Sequence, residues 1–201
     1  MKQAFYFFLF CLFINFVNAQ SLGIKGGLNM ANIDFANKDY KTNRLFGFHA
    51  GILANYKLSP RFGLQVEALY SKEGANSTYI PSGEGYTGNT TFLQLPLMIQ
   101  YRIMAGLQLA AGPQPGIPLA INETDERTGT TQDLRKSYKP IDLRWAFAVG
   151  HHLAQVPGLG INARYSFSLR SFNEGNVNGT SVKNSLFEIG LFYVLGKDAG
   201  E

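Results

Sequence analysis

An eight-stranded, antiparallel, up-and-down transmembrane β-barrel is the fold class that this sequence predicts, on three observations. The stretch 158–169, GLGINARYSFSL, alternates strictly, with Leu159, Ile161, Ala163, Tyr165, Phe167 and Leu169 on one parity and Gly160, Asn162, Arg164, Ser166 and Ser168 on the other. Such stretches recur about eight times, and the connections between them alternate between long and short. The polar parity is rich in small residues and carries charges of both signs. Side chains of a strand point to opposite faces in turn, so each stretch has one apolar and one polar face. A tilted strand of about ten residues crosses a bilayer.

The chain opens on a segment that is not part of the barrel. Lys2 precedes the apolar run 4–17, and Val17-Asn18-Ala19 has the small residues of a cleavage site. Residues 1–19 therefore read as a secretory signal peptide, with the barrel domain over 20–201. The single cysteine, Cys11, falls inside the leader, which leaves the domain without a thiol for a disulfide, a metal or nucleophilic catalysis. Without Lys2, 17 basic residues stand against 14 acidic ones, too mild an excess to indicate nucleic acid. Near-neutral overall hydropathy excludes a helical membrane bundle but not a barrel, half of whose strand residues are polar.

The expected strands follow in order. The first covers 22–30 and is followed by a polar loop, 31–43. The second covers 44–57, with Phe46, Phe48, Ala50, Ile52, Ala54 and Tyr56 on its apolar side. A tight turn at 58–60 leads to the third, 61–72, and a long Gly/Ser/Thr/Asn-rich loop fills 73–90. The fourth, 91–102, sets Leu93, Leu95, Leu97, Ile99 and Tyr101 against Gln94, Met98, Gln100 and Arg102, and a short turn spans 104–106. The fifth, 107–119, contains Pro113, Pro115 and Pro118, which cannot donate to a ladder, so its upper half is expected to bulge or leave the sheet. Pro96 raises the same expectation in the fourth. A long loop, 120–139, precedes the sixth strand, 141–150, and 151–157 forms a turn. The seventh is 158–169, a loop covers 171–180, and the eighth strand is 185–195. Four long connections on one side and three short turns on the other match the extracellular and periplasmic ends of bacterial outer-membrane barrels.

Alternation alone does not say which face is inside, because a soluble sandwich alternates too. Glycine and alanine on the polar face suit the crowded interior of an eight-stranded barrel. Glu67, Asp142, Arg144, Arg164 and Glu188 lie on that parity at mid-strand, with Arg102 lower down. Buried charges need partners, so these six residues are expected to form a lumen charge network. Tyr56, Phe62, Tyr101 and Tyr193 near the short-turn ends, with Phe46 and Tyr70 at the other rim, suit aromatic girdles.

The segments GIKGGLNMANI, LQVEALYSKEG, FLQLPLMIQY, AGPQPG and INARYSFSL, in that order, resemble the small outer-membrane β-barrel proteins (PorT-like, outer membrane protein beta-barrel domain) common in Bacteroidetes. The resemblance covers nearly the whole mature chain. It implies an eight-stranded barrel in the outer membrane and says little of activity. Such barrels usually end on an aromatic residue read by the insertion machinery, whereas here Tyr193 is followed by VLGKDAGE.

No catalytic constellation stands out. His49 is the one histidine at membrane level and no serine motif lies near it, so the triad logic of a hydrolase is not met. His151 and His152 lack further ligands for a metal, and the acids of the long loops, Asp34, Asp39, Glu123, Asp125 and Glu126, fit no EF-hand spacing. Gly26-Gly27 lacks the helix that a phosphate loop needs. The sequence thus predicts a non-catalytic outer-membrane protein with a plugged polar lumen and no cofactor. Its expected partners are the lipid bilayer, the barrel insertion machinery and an extracellular or envelope partner bound by the long loops for adhesion, binding or assembly. A narrow porin-like channel is the alternative, and a lipid A-modifying enzyme using His49 stands behind it.

Overall fold

A computed structural model of the chain describes residues 21–36, 38–104, 106–173 and 181–195. The signal-peptide reading of 1–19, most of the 171–180 loop and the tail after Leu195 lie outside the described residues. The strands are β1 (Ser21–Phe35), β2 (Tyr40–Lys57), β3 (Phe62–Tyr79), β4 (Glu84–Gln94), β5 (Leu97–Met104), β6 (Leu107–Asp125), β7 (Thr131–Asp133), β8 (Asp142–His152), β9 (Leu159–Ser168) and β10 (Val182–Leu195). Each strand pairs antiparallel with its neighbours. β1 bonds β10, β2 bonds β3, and the sheet closes on itself.

β4 and β5 are two halves of one barrel strand. Leu69 faces Gln94 and Val66 faces Leu97, so both halves keep a single register against β3. The ladder lapses between them at Leu95 and Pro96, where Glu67 N donates to Pro96 O at 3.0 Å and Leu95 N donates to Pro115 O at 2.9 Å. With β4–β5 counted once and the short β7 set aside, eight strands form the ring. The fifth expected strand does not leave the sheet, because β6 runs unbroken through Pro113, Pro115 and Pro118. A strand residue turns its nitrogen and its carbonyl to the same neighbour. Pro115, whose carbonyl accepts from Leu95, therefore aims its missing donor at the β4–β5 junction, as does Pro113 two residues back. Pro113 and Pro115 of β6 thus share one seam, whereas Pro96, whose carbonyl accepts from Glu67, turns its missing donor to β3 on the other side. A bulge does occur above that seam. Thr91 pairs Ala120 but Phe92 pairs Pro118, leaving Leu119 unpaired, and the inward parity changes from Gln114 and Pro118 to Ile121.

The apolar face points outward. Leu28 is 63% and Ile189 55% exposed, while Glu67 and Arg164, on the opposite parity, are 1% and 2% exposed. Closure pairs the backbone around the ring, and an apolar outside suits a medium with no water to offer. Phe62 and Tyr101 lie 5.2 Å apart beside the short turns, and Phe48 and Tyr70 lie 6.1 Å apart toward the opposite rim.

The sheet is taller than the sequence reading. Segments 31–43 and 73–90 are mainly strand, leaving connections of only 36–39 and 80–83. Segment 120–139 begins as β6, returns as β7 and ends in a 3-10 turn, Arg135–Ser137. β3 is 18 residues long, roughly twice what the hydrocarbon layer requires, so its upper part stands clear of it. There both faces are polar and the alternation that marks a half-buried strand fades. His151 and His152 belong to the end of β8 rather than to a turn, and the His152 ring meets Phe192 edge-on at 4.9 Å.

Candidate functional site

The lumen holds one connected set of buried polar side chains. β1, β3, β9 and β10 contribute Lys25, Glu67, Arg164 and Glu188. Lys25 Nζ lies 3.3 Å from Glu67 Oε2, and Arg164 Nη2 donates to Glu67 Oε1. Glu188 faces Arg164 across the β9–β10 pair and Asn29 across the β1–β10 pair, with Arg164 Nη1 3.9 Å from its carboxylate. His49 sits beside this quartet. Its Nδ1 is 2.7 Å from Asn29 Oδ1 and 3.6 Å from Glu188 Oε1. Gly27 makes room for that ring, since a Cβ there would stand 2.9 Å from His49 Cε1 and 2.2 Å from Ile189 O.

A second cluster lies toward the long-connection end. Arg144 donates through Nε to Asp142 Oδ2 and through Nη1 to Glu73 Oε2, both at 2.7 Å. Its guanidinium lies over the Phe92 ring, 4.5 Å from the centroid. Asp142 also accepts from Ser168 Oγ and Asn184 Nδ2 at 2.8 Å each. Glutamines join the two clusters: Arg164 Nη1 donates to Gln114 Oε1 at 3.4 Å, Gln114 to Gln94, and Gln94 to Glu73.

Of the six residues singled out from the sequence, five are buried here and make these contacts. Arg102 does not join them. It lies half-buried near the end of β5, and among the described residues it makes no ion pair. Its cross-strand neighbour on β6 is Gln108 rather than a carboxylate. Lys25 and Glu73 belong to the network and were not singled out. Lys25 shares its parity with Gly23 and Gly27 and is readable as an inward residue, whereas Glu73 falls in a stretch that reads as a loop. Among the described residues no three histidine, cysteine, aspartate or glutamate side chains converge as metal ligands.

Above the ions the lumen turns apolar. Phe92, Ile121 and Phe172 pack together, with Leu134 and Tyr138 against them. The Phe172 ring lies 5.6 Å from Phe92 and 5.2 Å from Tyr138. The chain after β7 is tied across this cluster. Leu134 N donates to Ile121 O at 2.8 Å, Arg135 Nε to Pro118 O at 2.9 Å, and Lys139 Nζ to Ser171 O at 2.6 Å. At the rim, Asp125 Oδ1 accepts the backbone N–H groups of Arg127 and Thr128, which holds its carboxyl below the usual aspartate range.

Set beside known proteins, the chain matches the family described as outer membrane protein beta-barrel domain over residues 18–174. Among solved structures it is similar to Ail, the attachment invasion locus protein of Yersinia pestis. The TM-score is 0.51 at 14% identity, over 88% of this chain and 99% of that one. It is also similar to Neisserial surface protein A, with a TM-score of 0.52 at 12% identity, over 86% and 96% of the two chains. At such identities the likeness is one of fold. No curated protein matches the chain in sequence.

Proposed function

Because this chain belongs to the outer membrane protein beta-barrel domain family, which fixes its place in the bacterial outer membrane, we propose that it is a non-conducting, non-catalytic surface protein that acts through its extracellular end. The observation that carries this reading is the filled lumen. Arg144, Arg164, Glu67, Glu188, Gln94 and Gln114 are each at most 2% exposed, and they span the interior from wall to wall. Eight strands leave room for side chains and little else. The apolar cluster of Phe92, Ile121 and Phe172 stands above that layer. His49 is spoken for by Asn29 and Glu188, and among the described residues no serine hydroxyl partners its free Nε2, which argues against a hydrolase. In this reading the long-connection end faces outward and binds an extracellular or envelope partner, and insertion proceeds through the barrel insertion machinery. The kinship with PorT-like barrels is part of the same proposal and rests on the segment order from GIKGGLNMANI to INARYSFSL.

Planar-bilayer recording tests it. The refolded protein is expected to show no steady open level in symmetric salt. A reproducible, long-lived conductance proportional to the protein added would instead establish the narrow channel.

A further inference from the structure

Glu123 is an inward carboxylate of β6 that the ion network leaves aside. Beyond the Leu119 bulge it shares the inward parity of Ile121, with Gly88 of β4 and Gln132 of β7 as its cross-strand neighbours. It lines a small pocket at the mouth together with Ile33, Phe35, Tyr138, Phe172 and Asn184. Glu67, Glu73 and Asp142 each meet a lysine or arginine, and Asp125 accepts two backbone N–H groups. Among the described residues no cation and no hydrogen-bond donor reaches Glu123.

The pocket walls mix the apolar Ile33, Phe35, Ile121 and Phe172 with Ser77, Thr90 and Asn122, and a half-buried carboxylate there is costly unless something pairs with it. Burial indeed pushes the Glu123 carboxyl up from its usual range. For a divalent ion the pocket offers a single carboxylate, with no second acidic or histidine ligand among the described residues that line it. An organic cation suits both features, since an ammonium can meet the carboxylate while its methylenes lie against aromatic faces. We propose that this pocket binds the ammonium head and first methylenes of a small primary alkylamine. Glu123 is the counter-charge, and Tyr138 and Phe172 are the apolar walls. The inference deepens the surface-binding reading above and names a ligand class for it.

The probe is n-butylammonium, titrated into the full protein in zwitterionic nanodiscs and followed by NMR, with n-butanol and butyrate as comparisons. Saturable binding of the amine is expected, with the alcohol and the acid at least about tenfold weaker, the scale of one charge-assisted bond. Glu123→Gln should weaken the amine about tenfold. Tyr138→Leu should weaken it about threefold, as loss of one cation–π face does. Glu84→Gln, outside the pocket, should leave it unchanged. Heat-modifiable gel mobility verifies that each variant is folded. Absence of saturable amine binding, equal binding of butanol, or an unchanged affinity in folded Glu123→Gln would overturn the assignment. Any of these would leave the conductance result, and the reading it tests, standing.

Discussion

Arg144→Leu will lower the stability of the folded barrel by about 3–5 kcal/mol, the cost of stripping one partner from a buried ion pair. The guanidinium is fully buried and holds two carboxylates at once, each at 2.7 Å. Leucine would leave Glu73 and Asp142 facing each other's charge without it. Glu73 would keep Ser71 and Gln94, and Asp142 would keep Ser168 and Asn184. Those neutral donors solvate the oxygens but do not cancel two negative charges. The Phe92 ring would lose the cation above it as well. Urea unfolding in lipid vesicles measures the change. A loss under about 1 kcal/mol, the scale of an exposed pair, would place Arg144 in water rather than in a sealed lumen.

Glu67→Gln is the second large effect, with about 3–5 kcal/mol expected by the same reasoning. Here the removed charge is the bridge between two cations, Lys25 and Arg164. Glutamine keeps the size and the hydrogen-bonding reach, so the loss isolates the charge. Glu188 is then the one remaining carboxylate of the quartet, 3.9 Å from Arg164. The arrangement predicts a rescue. Lys25→Met in the Glu67→Gln background removes the surplus cation, and the pair should be less destabilised than the sum of the two single variants. That shortfall is a coupling energy, and contacting charges give about 0.5–3 kcal/mol. Strict additivity in the double-mutant cycle would show that Lys25 and Glu67 do not interact.

The sequence showed the wall of this barrel more clearly than its height or its contents. In 158–169 every second residue is apolar and the partners are small or charged, so both the strand and its two faces could be read directly. The extra turns of sheet above the membrane could not. Segment 73–90 carries polar and small residues on both faces, because outside its strands meet water and inside Ala75, Ser77, Gly88 and Thr90 line the mouth, and period-two alternation is then absent. That is also why Glu73, a principal partner of Arg144, looked like a loop acid. The prolines misled for a different reason. A lone proline in a central strand costs a ladder bond, but Pro113 and Pro115 both aim their lost donors at the β4–β5 junction, a stretch already interrupted at Leu95 and Pro96. Such matching depends on register, which pairs residues far apart in the chain. The glutamine links from Arg164 through Gln114 and Gln94 to Glu73 lie on the polar parity of their strands, yet nothing local says that these side chains touch.

The central claim is that the greasy face meets lipid and the charged face is sealed inside. The only cysteine lies at position 11, so in a Cys11→Ser background a spin label can be placed at a single introduced cysteine. With the label at Ile189 in lipid vesicles, power-saturation measurements should give high accessibility to oxygen and low accessibility to a water-soluble nickel chelate. The reverse, chelate reaching Ile189 while oxygen is excluded, would mean that this side chain faces water, and the barrel described here would be wrong.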